Sequence, residues 1–254
     1  MRDKIEAALK SSKADYTEIR IEEREATTVA YRGKDLETVN AVIDAGGIVR
    51  CLCKDGGWGV ATFNDRDDLL AKVEQAYQCA KVARSEKPIE LAPVPLFEER
   101  ITARLGCDFR GISMAEKNAL AKACNDILRG HSDKIVDTSC RYDDTFSRIF
   151  FANSEGTFIE EERPMITLGL RAVARDGSNV QTALEGVSGQ KGFDYVQGRE
   201  DLAKVVAQRA VDLLSAETVV GGRYPVVLNR RLAGVFIHEA FGHLSEADFV
   251  YENP

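Results

Sequence analysis

Polar and apolar positions alternate through Tyr16-Thr17-Glu18-Ile19-Arg20-Ile21-Glu22, the period of a strand with one buried face. Ahead of it, Ile5, Ala8 and Leu9 have the spacing of a short amphipathic helix. Apolar runs at Val39–Ile43, Ile48–Cys53 and Trp58–Phe63 predict further strands, punctuated by Gly46-Gly47 and by Asp55-Gly56-Gly57. Aspartate followed by glycine between apolar runs favours a hairpin, because the tight turn needs positive φ. The sheet is therefore expected to be antiparallel. A helix closes this unit, with Leu69, Leu70, Val73, Ala76, Tyr77 and Ala80 on one face and Asp65 as its cap.

Pro88, Pro93 and Pro95 make 88–112 a linker, since proline lacks a donor and restricts the residue before it. A second unit opens with the capping box Ser113-Met114-Ala115-Glu116 and a helix burying Leu120, Cys124, Ile127 and Leu128, with Gly130 as its C′ residue. Strands are expected at Ile135–Tyr142, Ser147–Asn153, Thr157–Glu162, Met165–Arg175 and Asn179–Val187, with turns at Ser154-Glu155-Gly156 and Asp176-Gly177-Ser178. A helix with Leu202, Val205, Val206, Leu213 and Leu214 on one face ends the unit. After Gly221-Gly222, Tyr224–Leu228 reads as a short strand and Asn229 as the cap of a helix carrying Leu232, Val235 and Phe236. The pattern predicts an α+β chain: two antiparallel-sheet-plus-helix domains, 1–87 and 113–218, joined by the linker 88–112 and followed by the start of a third domain, 219–254.

Composition narrows the classes. With 254 residues, 44% hydrophobic and 30% charged, the chain has ample apolar material for a core. No run approaches the ~18 consecutive apolar residues of a membrane helix. The start Met1-Arg2-Asp3-Lys4-Ile5-Glu6 lacks the apolar stretch of a secretory signal, so the expected location is the cytoplasm, away from any membrane. A net charge of −7 argues against nucleic acid as a partner, and Arg223, Arg230 and Arg231 read as a solvated helix start. The six cysteines are scattered, without Cys-x-x-Cys or zinc-finger spacing, as expected of reduced, partly buried thiols.

Candidate chemistry concentrates in His238-Glu239-Ala240-Phe241-Gly242-His243, which holds two of the three histidines. Neutral imidazoles are zinc ligands, and a carboxylate beside them can take a proton from water. Five residues apart on an ideal α-helix, however, the rings diverge by ~140° and ~7.5 Å. Two nitrogens ~2.1 Å from one ion cannot be reached that way. A π-type turn of ~4.4 residues would bring the rings into line, and Gly242 is where a distortion costs little. A bulge or break is therefore expected at Phe241–His243.

Gly234 and Gly242 put small residues on the face carrying His238, either for close approach of a ligand or for tight helix packing. Hydrolytic zinc usually takes three protein ligands plus water. Glu246 and the six cysteines are the in-chain candidates for the third, while Glu246 and Asp248 equally fit a role in orienting the imidazoles. His131, at a helix C-terminus, reads as a surface residue complementing the helix dipole.

On the motif His238–His243, its extension Leu244-Ser245-Glu246-Ala247-Asp248 and the order of elements before it, the chain resembles the TldD side of the TldD/PmbA (TldE) family of zinc metalloproteases. The resemblance implies that His238 and His243 are zinc ligands, that Glu239 is the catalytic base, and that the third ligand is a cysteine of a C-terminal domain not contained in this sequence. It also implies peptides or unfolded protein segments as substrates, and a homodimer or a heterodimer with a PmbA/TldE-like subunit. Family members are much longer, so the chain reads as an N-terminal fragment, its own activity unproven. Two other readings stay open: a non-catalytic binding or assembly subunit of a protease complex, and a zinc hydrolase acting on something other than peptides.

Overall fold

The computed structural model describes residues 1–64, 68–83 and 88–252, the side chains of 250–252 excepted. Asp65, the expected helix cap, lies outside the described residues. The chain falls into two compact units, Met1–Ala216 and Glu217–Pro254.

In the first unit, helix α1 (Arg2–Ser11) buries Ile5 and Ala8. Strands β1 (Tyr16–Arg32) and β2 (Asp35–Leu52) form a long hairpin whose turn uses Gly33 at φ +52°. Strand β3 (Trp58–Phe63) returns along the last part of β2 through the expected Asp55-Gly56-Gly57 turn, and helix α2 (Leu69–Val82) follows. Neither glycine takes the expected positive φ; a Cβ at Gly56 would come 2.4 Å from the Ala80 carbonyl oxygen, so glycine serves close approach to α2 instead. After the short strand β4 (Glu98–Ile101) come helix α3 (Met114–Gly130), strands β5 (Ile135–Asn153), β6 (Phe158–Asp176) and β7 (Asn179–Gly189), and helix α4 (Glu200–Asp212).

The chain is thus α+β, with helices against an antiparallel sheet. The two helix–strand units do not carry separate sheets, however. β1 pairs with β5 in continuous register from Glu18↔Asn153 to Arg32↔Ser139, so among the described residues all seven strands form one sheet, ordered β3-β2-β1-β5-β6-β4 with β7 also on β6. Two cores sit beneath it. Ile19, Ile21, Val49, Phe150 and Ala152 pack with α1 and α2, while Val29, Tyr142, Ile166 and Leu168 pack with α3 and α4. The buried β1 residues Ile19, Ile21, Val29 and Tyr31 are all odd-numbered, so all four helices cover the same face of the sheet.

The opposite face is held by same-strand and cross-strand ion pairs: Arg50 with Glu18, Arg20 with Glu22 at 2.8 Å, Arg141 with Asp143 at 2.7 Å and Arg163 with Glu161 at 2.6 Å. An antiparallel sheet with one apolar and one charged face is stable because only one side has to be covered.

Several expected breaks are absent. Gly46-Gly47 lies inside β2 and is not a turn; a Cβ at Gly47 would come 2.4 Å from the Phe63 ring and 2.6 Å from the Arg20 carbonyl, so glycine lets the strands close there. The two pairs of strands expected at 135–153 and 157–175 are single long strands, because partner strands of equal length pair with them throughout. The linker holds β4, which pairs in parallel with Glu98↔Phe158 to Ile101↔Glu161, and a 3₁₀ turn at Phe109–Gly111 that buries Phe109. Gly130 is the last residue of α3 and lacks positive φ; His131 follows it as C-cap. The capping box forms as expected, Ser113 accepting from the Glu116 amide and Glu116 from the Ser113 amide.

The second unit has no strand at Tyr224–Leu228. The segment has no regular structure, is exposed and pairs with no strand among the described residues, so its apolar run has no ladder to join. Helix α5 (Arg230–Ile237) begins at Asn229, whose side chain accepts from the Arg231 and Leu232 amides.

Candidate metal centre

Helix α5 carries the chain to His238, and there its winding changes. Residues His238–Gly242 form a π-turn in which the His243 amide donates to the His238 carbonyl, five residues back. A tighter 3₁₀ turn follows at His243–Ser245, and helix α6 (Ala247–Glu252) comes after it. The distortion falls on the whole of His238–Gly242, slightly earlier than the expected Phe241–His243. The Ser245 hydroxyl donates to the Phe241 carbonyl, four residues back, at 2.9 Å. Ser245 was not singled out from the sequence; a serine four residues after the point of distortion is the only signal that could have found it.

The wide turn brings the two imidazoles together. Their ring centroids are 4.5 Å apart, at an interplanar angle of 65°. One potential ligand atom from each of His238, Glu239 and His243 lies within 4.8 Å of the others. His243 Nε2 is 3.6 Å from Glu239 Oε2, while its Nδ1 is 2.5 Å from Glu246 Oε1. On His238 the Nδ1 edge faces the Gly242 position, where a Cβ would come 3.4 Å from that nitrogen. A Cβ at Gly242 would make only ordinary van der Waals contact with the ring, and Gly234 has open space around it.

Ligand atoms ~2.0–2.2 Å from one zinc ion lie ~3–4 Å apart, a spacing that small side-chain rotations reach from this arrangement. Two imidazoles and a carboxylate also match the borderline-soft, N- and O-binding character of zinc. The residues present therefore fit such an ion. All three side chains are exposed, which leaves them accessible to a ligand.

The remaining candidates have surroundings of their own. Cys51, Cys124 and Cys140 are buried in the cores of the first unit and are unavailable as ligands. Burial raises the Cys51 thiol pKa, against the deprotonated form that a metal needs. His131 Nε2 is 3.0 Å from Gln208 Oε1 at the end of α3, a surface contact. Asp248 accepts from the Phe249 amide at 2.9 Å.

Comparison with known proteins places two family domains within the first unit. Domain 1 of the PmbA/TldA metallopeptidases matches residues 17–80, and their central domain matches residues 107–216. This chain belongs to the PmbA/TldA metallopeptidase family. Among relatives of this family member, a Synechocystis metalloprotease is 41% identical over 244 residues, covering 96% of the chain and 52% of the relative. A metalloprotease of Methanocaldococcus jannaschii is 32% identical over 257 residues, covering 99% and 55%. A zinc metalloprotease TldD homolog of Saccharolobus solfataricus is 25% identical over 243 residues, covering 92% and 51%.

The chain thus spans about half the length of the curated relatives it matches. Its fold is shared with a Thermotoga maritima protein described as a candidate modulator of DNA gyrase, at TM-score 0.69 and 19% identity over 87% of this chain and 49% of that one. It is likewise shared with TldE of Thermococcus kodakarensis, at TM-score 0.63 and 17% identity over 85% and 47%. No helix among the described residues is long and apolar enough to cross a membrane.

Proposed function

We propose that this chain carries the catalytic motif of a zinc-dependent peptidase acting on peptides or unfolded protein segments. The supporting observation is the π-turn, which gathers donor atoms of His238, Glu239 and His243 within 4.8 Å. In this reading His238 and His243 hold the ion through their Nε2 atoms. A zinc ion there would supply Lewis-acid activation of water and of the scissile carbonyl. Glu239 is the base: its carboxylate accepts a proton from the attacking water and passes it to the leaving amine nitrogen.

The proposal extends to the whole protein, of which a TldD-like role fits the names of the relatives. Residues 1–87 and 113–218 are taken as its first two domains and 219–254 as the start of the metalloprotease domain. The third ligand is the one the family resemblance implies, a cysteine of a C-terminal domain not contained in this sequence. Likeness to TldE supports a dimer, of two copies or with a PmbA/TldE-like subunit. The six free cysteines fit a reducing compartment, the cytoplasm.

Zinc content and hydrolysis of an unstructured peptide test the reading together. Glu239→Gln is expected to retain zinc while losing at least ~10²-fold in rate, as removal of a general base does. His238→Ala is expected to lose both zinc and hydrolysis. Undiminished hydrolysis by Glu239→Gln would overturn the proposal.

A further inference from the structure

The two imidazoles of the motif are held differently. The Nδ1 edge of His238 faces the side-chain-free position of Gly242. His243 has a carboxylate behind it: Glu246 Oε1 lies 2.5 Å from Nδ1, on the side of the ring away from the contact between Nε2 and Glu239. The fold sets up this contact through the 3₁₀ turn at His243–Ser245, after which Glu246 leaves the helix in an extended conformation, φ −70° and ψ 138°. Its carboxylate is thereby returned to the ring three residues back.

A carboxylate only accepts, so Nδ1 must donate to it, and in the neutral ring that leaves the lone pair on Nε2. Nε2 is the atom facing Glu239. We propose that Glu246 is a positioning residue for His243: it holds the Nδ1–H tautomer and the ring orientation that present Nε2 to a divalent cation. This inference rests on the zinc-site reading above. Asp248, the other acidic candidate, is instead engaged with the Phe249 amide.

Outer partners of this kind are worth ~10–100-fold in metal affinity. The test is zinc titration against a competing chelator, with long-range proton–nitrogen NMR of the zinc-free protein in mildly alkaline buffer to read the His243 tautomer. Glu246→Ala is expected to weaken zinc by ~10–100-fold and to mix the tautomers. Glu246→Gln keeps an acceptor oxygen, so it should retain the Nδ1–H tautomer and recover most of the affinity. His238→Ala serves as the reference: if it binds zinc like the wild type, the metal site itself is wrong. If His238→Ala loses zinc but Glu246→Ala keeps affinity and tautomer, the positioning role is overturned and the site stands. If both Glu246 variants lose zinc with the tautomer unchanged, the positioning role is likewise overturned, in favour of direct ligation by Glu246.

Discussion

Asp144→Ala is expected to destabilise the sheet unit by about 4 kcal/mol, because it breaks a buried ion pair from one side. Lys117 Nζ reaches from α3 to Asp144 Oδ2 at 2.6 Å, with the two side chains 5% and 4% exposed. Tyr142 donates its hydroxyl to the same carboxylate at 2.5 Å, and Lys117 also donates to Thr27 Oγ1 at 3.2 Å. Two unit charges 2.6 Å apart attract by about 6 kcal/mol at an effective dielectric of ~20. Desolvation costs several kcal/mol per ion, so the intact pair is close to neutral relative to an apolar replacement.

Deleting only the carboxylate is different. The ammonium stays buried beside a single hydroxyl, at ~3–5 kcal/mol, and the Tyr142 hydroxyl loses its acceptor, at ~1–3 kcal/mol before relaxation. Lys117→Met should cost about 3 kcal/mol by the mirror argument. The double variant Lys117→Met/Asp144→Leu removes both charges and should cost only about 2 kcal/mol, chiefly the orphaned tyrosine. Urea unfolding followed by circular dichroism measures each value, provided the slope is common to all variants. A double variant as costly as the two singles added together would refute the claim that the pair acts as one unit.

Three further outcomes follow from the same structure. Gly59→Ala should lower stability by about 3 kcal/mol in a thermal or urea melt, since its Cβ would fall 2.0 Å from the Ala76 carbonyl oxygen and 2.2 Å from the Ala80 amide nitrogen, backbone of α2 that has no room to yield. Gly130→Ala, with nothing within 4 Å of the added carbon, should instead gain up to ~1 kcal/mol of helix propensity. At high pH, Tyr16 contributes with a definite sign: burial, and its hydrogen bond to Glu18, push its pKa up to about 12 against the opposing Asn153 amide. The folded value lies above the unfolded one, so this contribution is complete below pH ~10 and is lost as pH rises towards ~12. Tyr16→Phe should flatten the fall of the urea midpoint across that window, and an unchanged slope would contradict the assignment.

Much of the candidate site was legible because it is local. Histidines five apart cannot share an ion on an α-helix, so the spacing itself required a wider turn, and His238–Gly242 supplies one. Glu246 was open between ligand and orienting partner. The choice depends on how the chain leaves the 3₁₀ turn, a backbone detail that residue type does not specify. The Lys117–Asp144 pair had no signature at all, because its members lie on different elements and a lysine in a helix is ordinarily a surface residue.

By itself, the sequence determined the features that close within a few residues. These are the Ser113–Glu116 capping box, the Asn229 cap, the turns at Asp55–Gly57 and Asp176–Ser178, and the crowding of His238, Glu239 and His243. The two caps follow from one side chain meeting backbone amides at a fixed short spacing, the Asp176–Ser178 turn from Gly177 at φ +58°, and the crowding of the motif from its own spacing. Tertiary structure alone decided that β1 and β5 join the two helix–strand units into one sheet, that β5 and β6 run unbroken, and that β4 pairs in parallel within a proline-rich linker. It also decided that Tyr224–Leu228 is no strand. A strand's length and partner depend on which distant backbone offers its hydrogen bonds, and that choice is made only when the apolar face is buried.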